Sequence, residues 1–478
     1  MAESRWFQLY SAAPVWLQNA ACTLAGVKMR RERYGGGFRE HLAELERTER
    51  WSASQLLDLH QELLEGIVRH AYETVPYYRE IMDARRLKPA DVRTLADLPK
   101  LPILDKATVR RRWADLQSRG WPESRRVRGH TGGTTGTAMQ LVSDVETARW
   151  QWAVWWRHRR RFGADMGQPF VVFAGRSVVP LDQVSGRVWR RNLAMRQTYV
   201  SVHHLHRQNL PAIADYLDTR RVDYYSGYPS ALYLVARYLL DQGRRLRHPP
   251  RWTFTGAETV LPHQREVIER GLGTEIADQY GASEMCCNLS DCREHRYHQD
   301  MEFGAVELEP IPGAPSNVGA VIATGFRNPA MPLIRYRIGD VATRSEAPCP
   351  CGLHSPTFER IDGRIESYVI TPDGRQLGRL DFLFKDTVEI EEAQIVQDRP
   401  DHVILKVVAG PGFGRADAAG LVAHFRSYAG DVIGVDVEVV PEIPREPNGK
   451  FRQIVSLLPP EQRIDGGLGS PRVSGRPA

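Results

Sequence analysis

The stretch GHTGGTTGT, residues 129–137, holds four glycines and four threonines in nine positions and no lysine. Glycine at that density lets backbone approach a ligand closely or take positive φ. The hydroxyls of Thr131, Thr134, Thr135 and Thr137, with the amides around Gly132, Gly133 and Gly136, make a concave anion nest suited to the β- and γ-phosphates of a nucleotide. The run matches neither G-x-x-x-x-G-K-[ST] nor G-x-G-x-x-G, so any phosphate must be held in another way; a plain flexible loop is the alternative. Further along, QYGASEM (279–285) sets Tyr280, able to stack on a base, close to Glu284, whose carboxylate can hold a hard cation. Asp340 in YRIGD can accept from both hydroxyls of a ribose, or cap a helix. Lys450 stands on the glycine-flanked loop PREPNGKFR (444–452). Its point charge can bridge an α-phosphate and an attacking carboxylate; otherwise it is an exposed loop lysine.

A second constellation is sulfur-rich. Five of the six cysteines lie between residues 286 and 351. Cys349 and Cys351 flank Pro350, and Cys292 precedes His298 by six positions, giving four soft or borderline ligands suited to tetrahedral zinc. Cys286, Cys287, His295 and His354 compete for the same role. This clustering is not the scatter of a disulfide framework and favours a reducing compartment.

These groups need a large scaffold to position them, and 478 residues provide one. The fold expected is α/β: a large multi-sheet N-terminal domain with parallel sheets and crossover helices, plus a small mobile α+β C-terminal domain. The segment 52–87 has apolar residues at helical spacing with Ser52 as its cap. A helix starts near Asp144, just after the glycine-threonine loop and the strand-like AMQLVSD. Strand-like PFVVFA, VDYYSG, RWTFTGAE and GAVIAT alternate with helical PSALYLVARYLLDQG and LPHQREVIERGL, the pattern of parallel strands with crossovers. The large domain is placed at 1–361, its helical segment at about 1–100, and the small domain of roughly 100 residues at 362–463. The tail 464–478, rich in glycine, proline and serine, is expected to be disordered.

The net charge of +6 is a small difference between 64 basic and 58 acidic residues that are interspersed along the chain. Nucleic-acid binding does not follow from it. The densest basic run, RHRRRF (157–162), reads as a solvated face at the end of a helix, with a site for the phosphates of coenzyme A as the other reading. The segment AAPVWLQNAACTLAGV is interrupted by Pro14, Gln18 and Asn19, so neither a signal peptide nor a transmembrane span is expected. The expected location is cytoplasmic, with Trp6 to Val27 as the one segment read for peripheral membrane contact.

The motifs form a collinear set: the glycine-threonine loop, TGAE (255–258), QYGASEM, RYRIGD (335–340), DGRIES (362–367) and PREPNGKFR. Together they resemble the adenylate-forming superfamily of acyl-CoA synthetases and ligases. VPYYRE, PLIRYRIGDVA and CPCG are similar to its phenylacetate-CoA ligase branch, including the capsule-biosynthesis relatives called CapK. The resemblance implies that the 131–137 loop wraps the leaving pyrophosphate, and that Gly256, Ala257 and Glu258 form a wall of the adenine and acyl pocket. It implies that Tyr280, within Tyr280–Gly281–Ala282–Ser283, lies against the adenine, Glu284 coordinates Mg2+, Asp340 binds the ribose, Arg364 lies near it, and Lys450 serves the chemistry. Many members carry a lysine where this chain has Thr137, and an aspartate hinge where it has Glu366. The branch also carries a similar cysteine, histidine and cysteine-pair arrangement, which would be a structural zinc site of Cys292, His298, Cys349 and Cys351.

The activity implied is ATP-dependent formation of an acyl-adenylate from a carboxylic acid, then acyl transfer to coenzyme A, as in aryl or arylacetate ligases. The alternatives are transfer to an amine or carrier-protein thiol, and a catalytically silent nucleotide-binding or scaffold relative in polysaccharide or secondary-metabolite synthesis. The resemblance leaves oligomeric state open, a homodimer included.

Overall fold

Helices α1 (Arg5–Ala12), α2 (Val15–Tyr34), α3 (Phe38–Thr48), α4 (Ala53–Thr74), α5 (Pro76–Ala84) and α6 (Lys106–Arg111) form the N-terminal segment of the computed structural model. The structure describes residues 5–130, 139–176, 178–180, 183, 186–205, 208–311, 314–364, 369–372, 376–377, 380, 383, 390–429, 432–445 and 451–459. The helix start at Ser52 is where local chemistry places it. Its hydroxyl accepts the Gln55 amide at 3.3 Å and the Gln55 side chain accepts the Ser52 amide at 3.0 Å, a reciprocal cap for α4. The apolar stripe of α4, including Leu64, Ile67, Val68 and Ala71, then joins the largest core cluster.

Strands β1 (Arg126–His130) and β2 (Gln140–Asp144) form an antiparallel ribbon with His130 opposite Gln140. Asp144 accepts the Glu146 amide at 2.8 Å and so caps α7 (Val145–Arg161), as the sequence indicates. The main sheet follows: β3 (Phe170–Ala174), β4 (Trp189–Asn192), β5 (Gln197–Ser201), β6 (Tyr224–Gly227), β7 (Trp252–Gly256), β8 (Glu275–Gly281), β9 (Asn288–Asp291), β10 (Tyr297–Gln299), β11 (Gly304–Pro310), β12 (Val318–Gly325), β13 (Tyr336–Arg344) and β14 (Thr357–Arg364). Among the described residues it has twelve strands, in the order β11, β12, β13, β14, β10, β9, β8, β7, β6, β3, β5, β4.

Neighbours β5, β3, β6, β7 and β8 are parallel. Their crossovers use α8 (Leu210–Asp218), α9 (Pro229–Asp241) and α10 (Pro262–Leu272). The sheet is mixed, however. GAVIAT lies on β12, which pairs antiparallel with β11, and β8 to β9 to β10 is an antiparallel meander. The loops joining these strands are too short for a parallel crossover, which needs a dozen or more residues.

The basic run RHRRRF is not a solvated face. Arg157 and His158 are buried, Arg160 pairs with Glu46 and Asp165, and Arg161 with Glu49. The acids that pair with Arg157 and His158 come from β9 and the β10–β11 connection, far along the chain.

The chain groups into two units, with a change between Ile361 and Asp362; Gly339–Val341, inside β13, also group with the smaller unit. The smaller unit contains β15 (Val369–Ile370) paired with β16 (Gln376–Leu377). It also has a four-stranded sheet of β17 (Ile390–Arg399), β18 (His402–Ala409), β19 (Gly434–Val439) and β20 (Ile454–Ser456), ordered β19, β18, β17, β20. Helix α11 (Arg415–Ala429) contributes Leu421, Phe425 and Ala429 to the same core as Val403, Leu405 and Val407 of β18.

Candidate active site and cysteine–histidine cluster

Strands β7 and β8 are parallel neighbours with Gly256 opposite Gln279, so TGAE and QYGASEM leave the sheet side by side at carboxyl ends. Ligand crevices of α/β sheets form at that edge. Glycine is required at 256, where a Cβ would lie 2.9 Å from the Gln279 carbonyl oxygen. Ala257 then adopts φ +68°, a conformation costing a non-glycine residue about 1–2 kcal/mol. Glu258 turns back to accept the amide and hydroxyl of Ser230, both at 3.1 Å, in the first turn of α9. Negative charge is stabilised there by the helix dipole, so Glu258 anchors this loop.

On the adjacent strand, Tyr280 is opposite Leu289 and half-buried against the largest core cluster. Gly281 follows opposite Asn288, then buried Ala282, exposed Ser283 and buried Glu284. The hydroxyl of Tyr336, itself fully buried at the start of β13, donates to Glu284 Oε1 at 3.0 Å. That bond orients the carboxylate and leaves Oε2 without a hydrogen-bond partner among the described residues, which suits a cation ligand. Met285 (φ +54°) and Arg335 (φ +53°) flank this pair. With Ala257 they are three of six described non-glycine residues at positive φ, so backbone strain collects around these motifs.

A buried polar network underlies β8 and β9. Gln279 Nε2 donates to Ser290 Oγ at 2.9 Å; Ser290 Oγ and Asn288 Nδ2 donate to Asp300 Oδ2 at 2.7 and 2.6 Å. Arg157 donates to Asp300 Oδ1 at 2.5 Å and Glu302 Oε1 at 2.7 Å, and Thr48 donates to Glu302. Burial pushes the Glu302 carboxyl up, but the Arg157 charge and hydrogen bonds pull it further down, so it stays ionised. His158 meets Asp291 at 2.9 Å, one residue before Cys292.

Cys292, His298, Cys349 and Cys351 converge, their ligand atoms all within 4.8 Å of one another, and such a Cys3His cluster could hold a metal ion. The β9–β10 hairpin carries the first two; Arg296, within it, donates to the carbonyls of Ala347 and Pro348 and so holds the loop bearing the other two. Gly352 turns that loop at φ +86°. Cys292 Sγ lies 3.5 Å from Cys349 Sγ and Cys351 Sγ 3.2 Å from His298 Nε2, close to the roughly 3.5–3.8 Å between ligands of tetrahedral zinc. Ser355 Oγ lies 3.4 Å from His298 Nδ1, a partner that fixes the ring with Nε2 toward the cluster. Burial lowers His298 to about 4, keeping its ring neutral as a ligand must be, and raises the Cys292 thiol to about 12. A bound cation would offset that burial by favouring the thiolate. The competing ligands stand elsewhere: Cys286 and Cys287 are in the largest core, and neither His295 nor His354 joins the four.

Asp340 is on β13, after Gly339 at φ +98°. Arg364 ends β14, with its side chain outside the described residues. Thr131, Gly132, Gly133, Thr134, Thr135, Gly136, Thr137, Glu366 and Lys450 also lie outside them. Sequence reasoning did not assign Tyr336 or the Arg157 network; YRIGD contains the first, but nothing local marks its contact with Glu284.

Comparisons with known proteins agree with this architecture. Residues 369–457 match the model of the CapK C-terminal domain. The chain is 24% identical over 461 residues to protein CapK of Staphylococcus aureus, covering 94% of this chain and 99% of that protein. It is 27% identical over 349 residues to phenylacetate-coenzyme A ligase of Aromatoleum evansii, covering 68% and 74% respectively. Its fold is similar to that of 2-hydroxyisobutyryl-CoA ligase in the postadenylation state, with a TM-score of 0.68 at 18% identity over 86% of this chain and 91% of that one. The motifs, the mixed sheet and these relatives agree: the chain is similar to the CapK and phenylacetate-CoA ligase-like branch of the adenylate-forming ligases, and its residues 369–457 match the CapK C-terminal domain.

Proposed function

We propose that this protein is an AMP-forming acid–thiol ligase that converts a carboxylic acid to an acyl-adenylate and passes the acyl group to coenzyme A. The observation that carries the reading is the junction of TGAE and QYGASEM at one sheet edge, with Glu284 buried and oriented by Tyr336. In the first step a carboxylate oxygen attacks the α-phosphorus of ATP and pyrophosphate leaves. In the second, the thiol sulfur attacks the acyl carbon, loses its proton, and AMP leaves. Glu284 would hold Mg2+, which neutralises phosphate charge when bound. Tyr280 would stack on the adenine, with Gly256, Ala257, Gly281, Ala282 and Ser283 as backbone walls and Glu258 as the anchor of the first. The 131–137 loop would cradle the departing phosphates, Asp340 and Arg364 would serve the ribose, and Lys450 the α-phosphate. Residues 1–361 would be the large domain and 362–463 the lid, pivoting at Glu366, with motion of the lid separating the two steps. A reducing, cytoplasmic setting would keep Cys292, Cys349 and Cys351 as thiols able to take a metal.

Incubation with ATP, an acid panel weighted to aryl and arylacetic acids, and coenzyme A tests the acceptor. Acyl-CoA and AMP in equal amounts are expected by mass spectrometry; products formed only with amines or carrier proteins would replace coenzyme A as acceptor. Glu284→Gln keeps the Tyr336 bond but removes the charge, and adenylation should fall by roughly 10²-fold or more. Unchanged adenylation at limiting Mg2+ would remove Glu284 from metal binding.

The cysteine–histidine cluster is proposed as structural zinc, because four protein ligands leave no position for substrate. Elemental analysis of purified protein should find about one zinc per chain, lost in Cys349→Ser together with a lower unfolding temperature. Unaltered metal content in that variant would eliminate the site.

A further inference from the structure

Helix α2 packs with one face and leaves another bare. Gln18, Gly26 and Met29 are buried, Arg190 donates to Gln18, and Asn19 and Thr23 accept the amides of Arg191 and Leu193 at 2.8 and 3.2 Å. On the opposite side Trp16, Leu17, Leu24 and Val27 are 68, 41, 72 and 57% exposed. At 100° per residue these four fall in one arc of about 100°, the width of a stripe that normally faces a core. Leu193, 61% exposed and joined to Thr23 through its amide, extends the patch beyond the helix. Contiguous exposed apolar surface of this kind marks an interaction site.

The chemistry around the stripe is cationic. Arg31 stands at its C-terminal end, beside Lys28, which pairs with Glu32 at 3.8 Å. Beside its first turn opens a cavity of about 180 Å³ lined by Asn19, Arg187, Trp189, Arg191, Tyr216 and Arg220. The Trp189 and Tyr216 rings are 4.6 Å apart, and the Arg220 guanidinium lies 5.2 Å from the Tyr216 ring centre. Among the described residues none of these three arginines pairs with a carboxylate. The acids on neighbouring α8 are taken elsewhere, Asp215 by Arg244 and Asp218 by Arg247, each at 2.8 Å.

We propose that this face docks on an anionic phospholipid bilayer. Helix α2 lies in the interface with Trp16, Leu17, Leu24 and Val27 among the upper acyl chains, while Arg187, Arg191 and Arg220 take a lipid phosphate beside the aromatic pair. No helix among the described residues is long and apolar enough to cross a membrane, so the contact is peripheral. Charge selects a lipid surface over a second copy of the chain. A two-fold contact through this face would oppose two sets of these arginines, none of them paired with a carboxylate among the described residues, a costly like-charge juxtaposition. Docking of this kind would hold whichever acid or acceptor the protein uses.

Co-sedimentation of the full chain with vesicles tests it, comparing phosphatidylcholine alone with phosphatidylcholine containing phosphatidylglycerol, at low and high salt. Binding is expected to the anionic vesicles and to weaken with salt. Arg187→Gln/Arg191→Gln/Arg220→Gln should lower partitioning on the order of 100-fold, about fivefold per basic residue. Trp16→Glu/Leu24→Glu should abolish it, with adenylation and thermal unfolding unchanged in both variants because every substituted side chain is on the surface. Failure to bind anionic vesicles, or equal binding to both vesicle types, would overturn the proposal. So would a dimer in solution that Trp16→Glu dissociates without any vesicle binding.

Discussion

Lys450→Ala is expected to reduce carboxylate-dependent adenylate formation by about 10² to 10³, while transfer from a supplied acyl-adenylate to coenzyme A is far less affected. The magnitude is that expected of the role proposed for Lys450, a positive charge held where negative charge develops between carboxylate and α-phosphate. The asymmetry is the more informative half. A lysine that acts only while pyrophosphate departs contributes to the first step, whereas a lysine needed for folding or for binding the adenylate would impair both. Pyrophosphate release and thioester formation measured separately distinguish these cases. Equal losses in the two would contradict the role given to Lys450.

Arg157→Met should destabilise the protein by roughly 3–5 kcal/mol, since it strands Asp300 and Glu302 as buried, unpaired charges. The pH dependence gives the sign. In the wild type Glu302 is held below the ordinary carboxylate range, so its pairing contributes stability above the unfolded pKa and loses it as pH falls through the folded one. In the variant, burial without Arg157 raises the Glu302 carboxyl, which then takes up a proton on folding. The difference from wild type should therefore shrink as the pH is lowered from 7 toward 5. Denaturant unfolding at several pH values checks this; a pH-independent gap would mean that lost packing rather than charge is responsible. Adding Asp300→Asn and Glu302→Gln should recover part of the loss.

What the sequence revealed follows the range of the interactions. Ser52 and Asp144 cap helices through bonds to residues two or three positions away, so both starts were legible. The parallel half of the sheet was legible because strand and helix textures alternate there. The direction of β12 was not, because pairing depends on which strand returns beside it, and apolar runs look alike in either orientation. Arg157 was misread for the same reason: its partners lie 143 and 145 residues away, and a basic run at a helix end has the composition of a solvated face. The four cluster ligands were legible as residue types, but choosing them over Cys286, Cys287, His295 and His354 required the β9–β10 hairpin and the 345–352 loop to be seen together. Glu284 stands in a motif that the sequence displays, while Tyr336, which orients it from 52 positions further on, has no local signature.

All the proposed residue roles depend on this chain activating a carboxylate as its adenylate. Exchange of labelled pyrophosphate into ATP, measured across a broad panel of carboxylic acids with Mg2+ present, tests it most directly. The account predicts exchange that requires an acid and is lost in both Lys450→Ala and Glu284→Gln; folded wild-type protein that gives no exchange with any acid, or the same exchange without one, would contradict it.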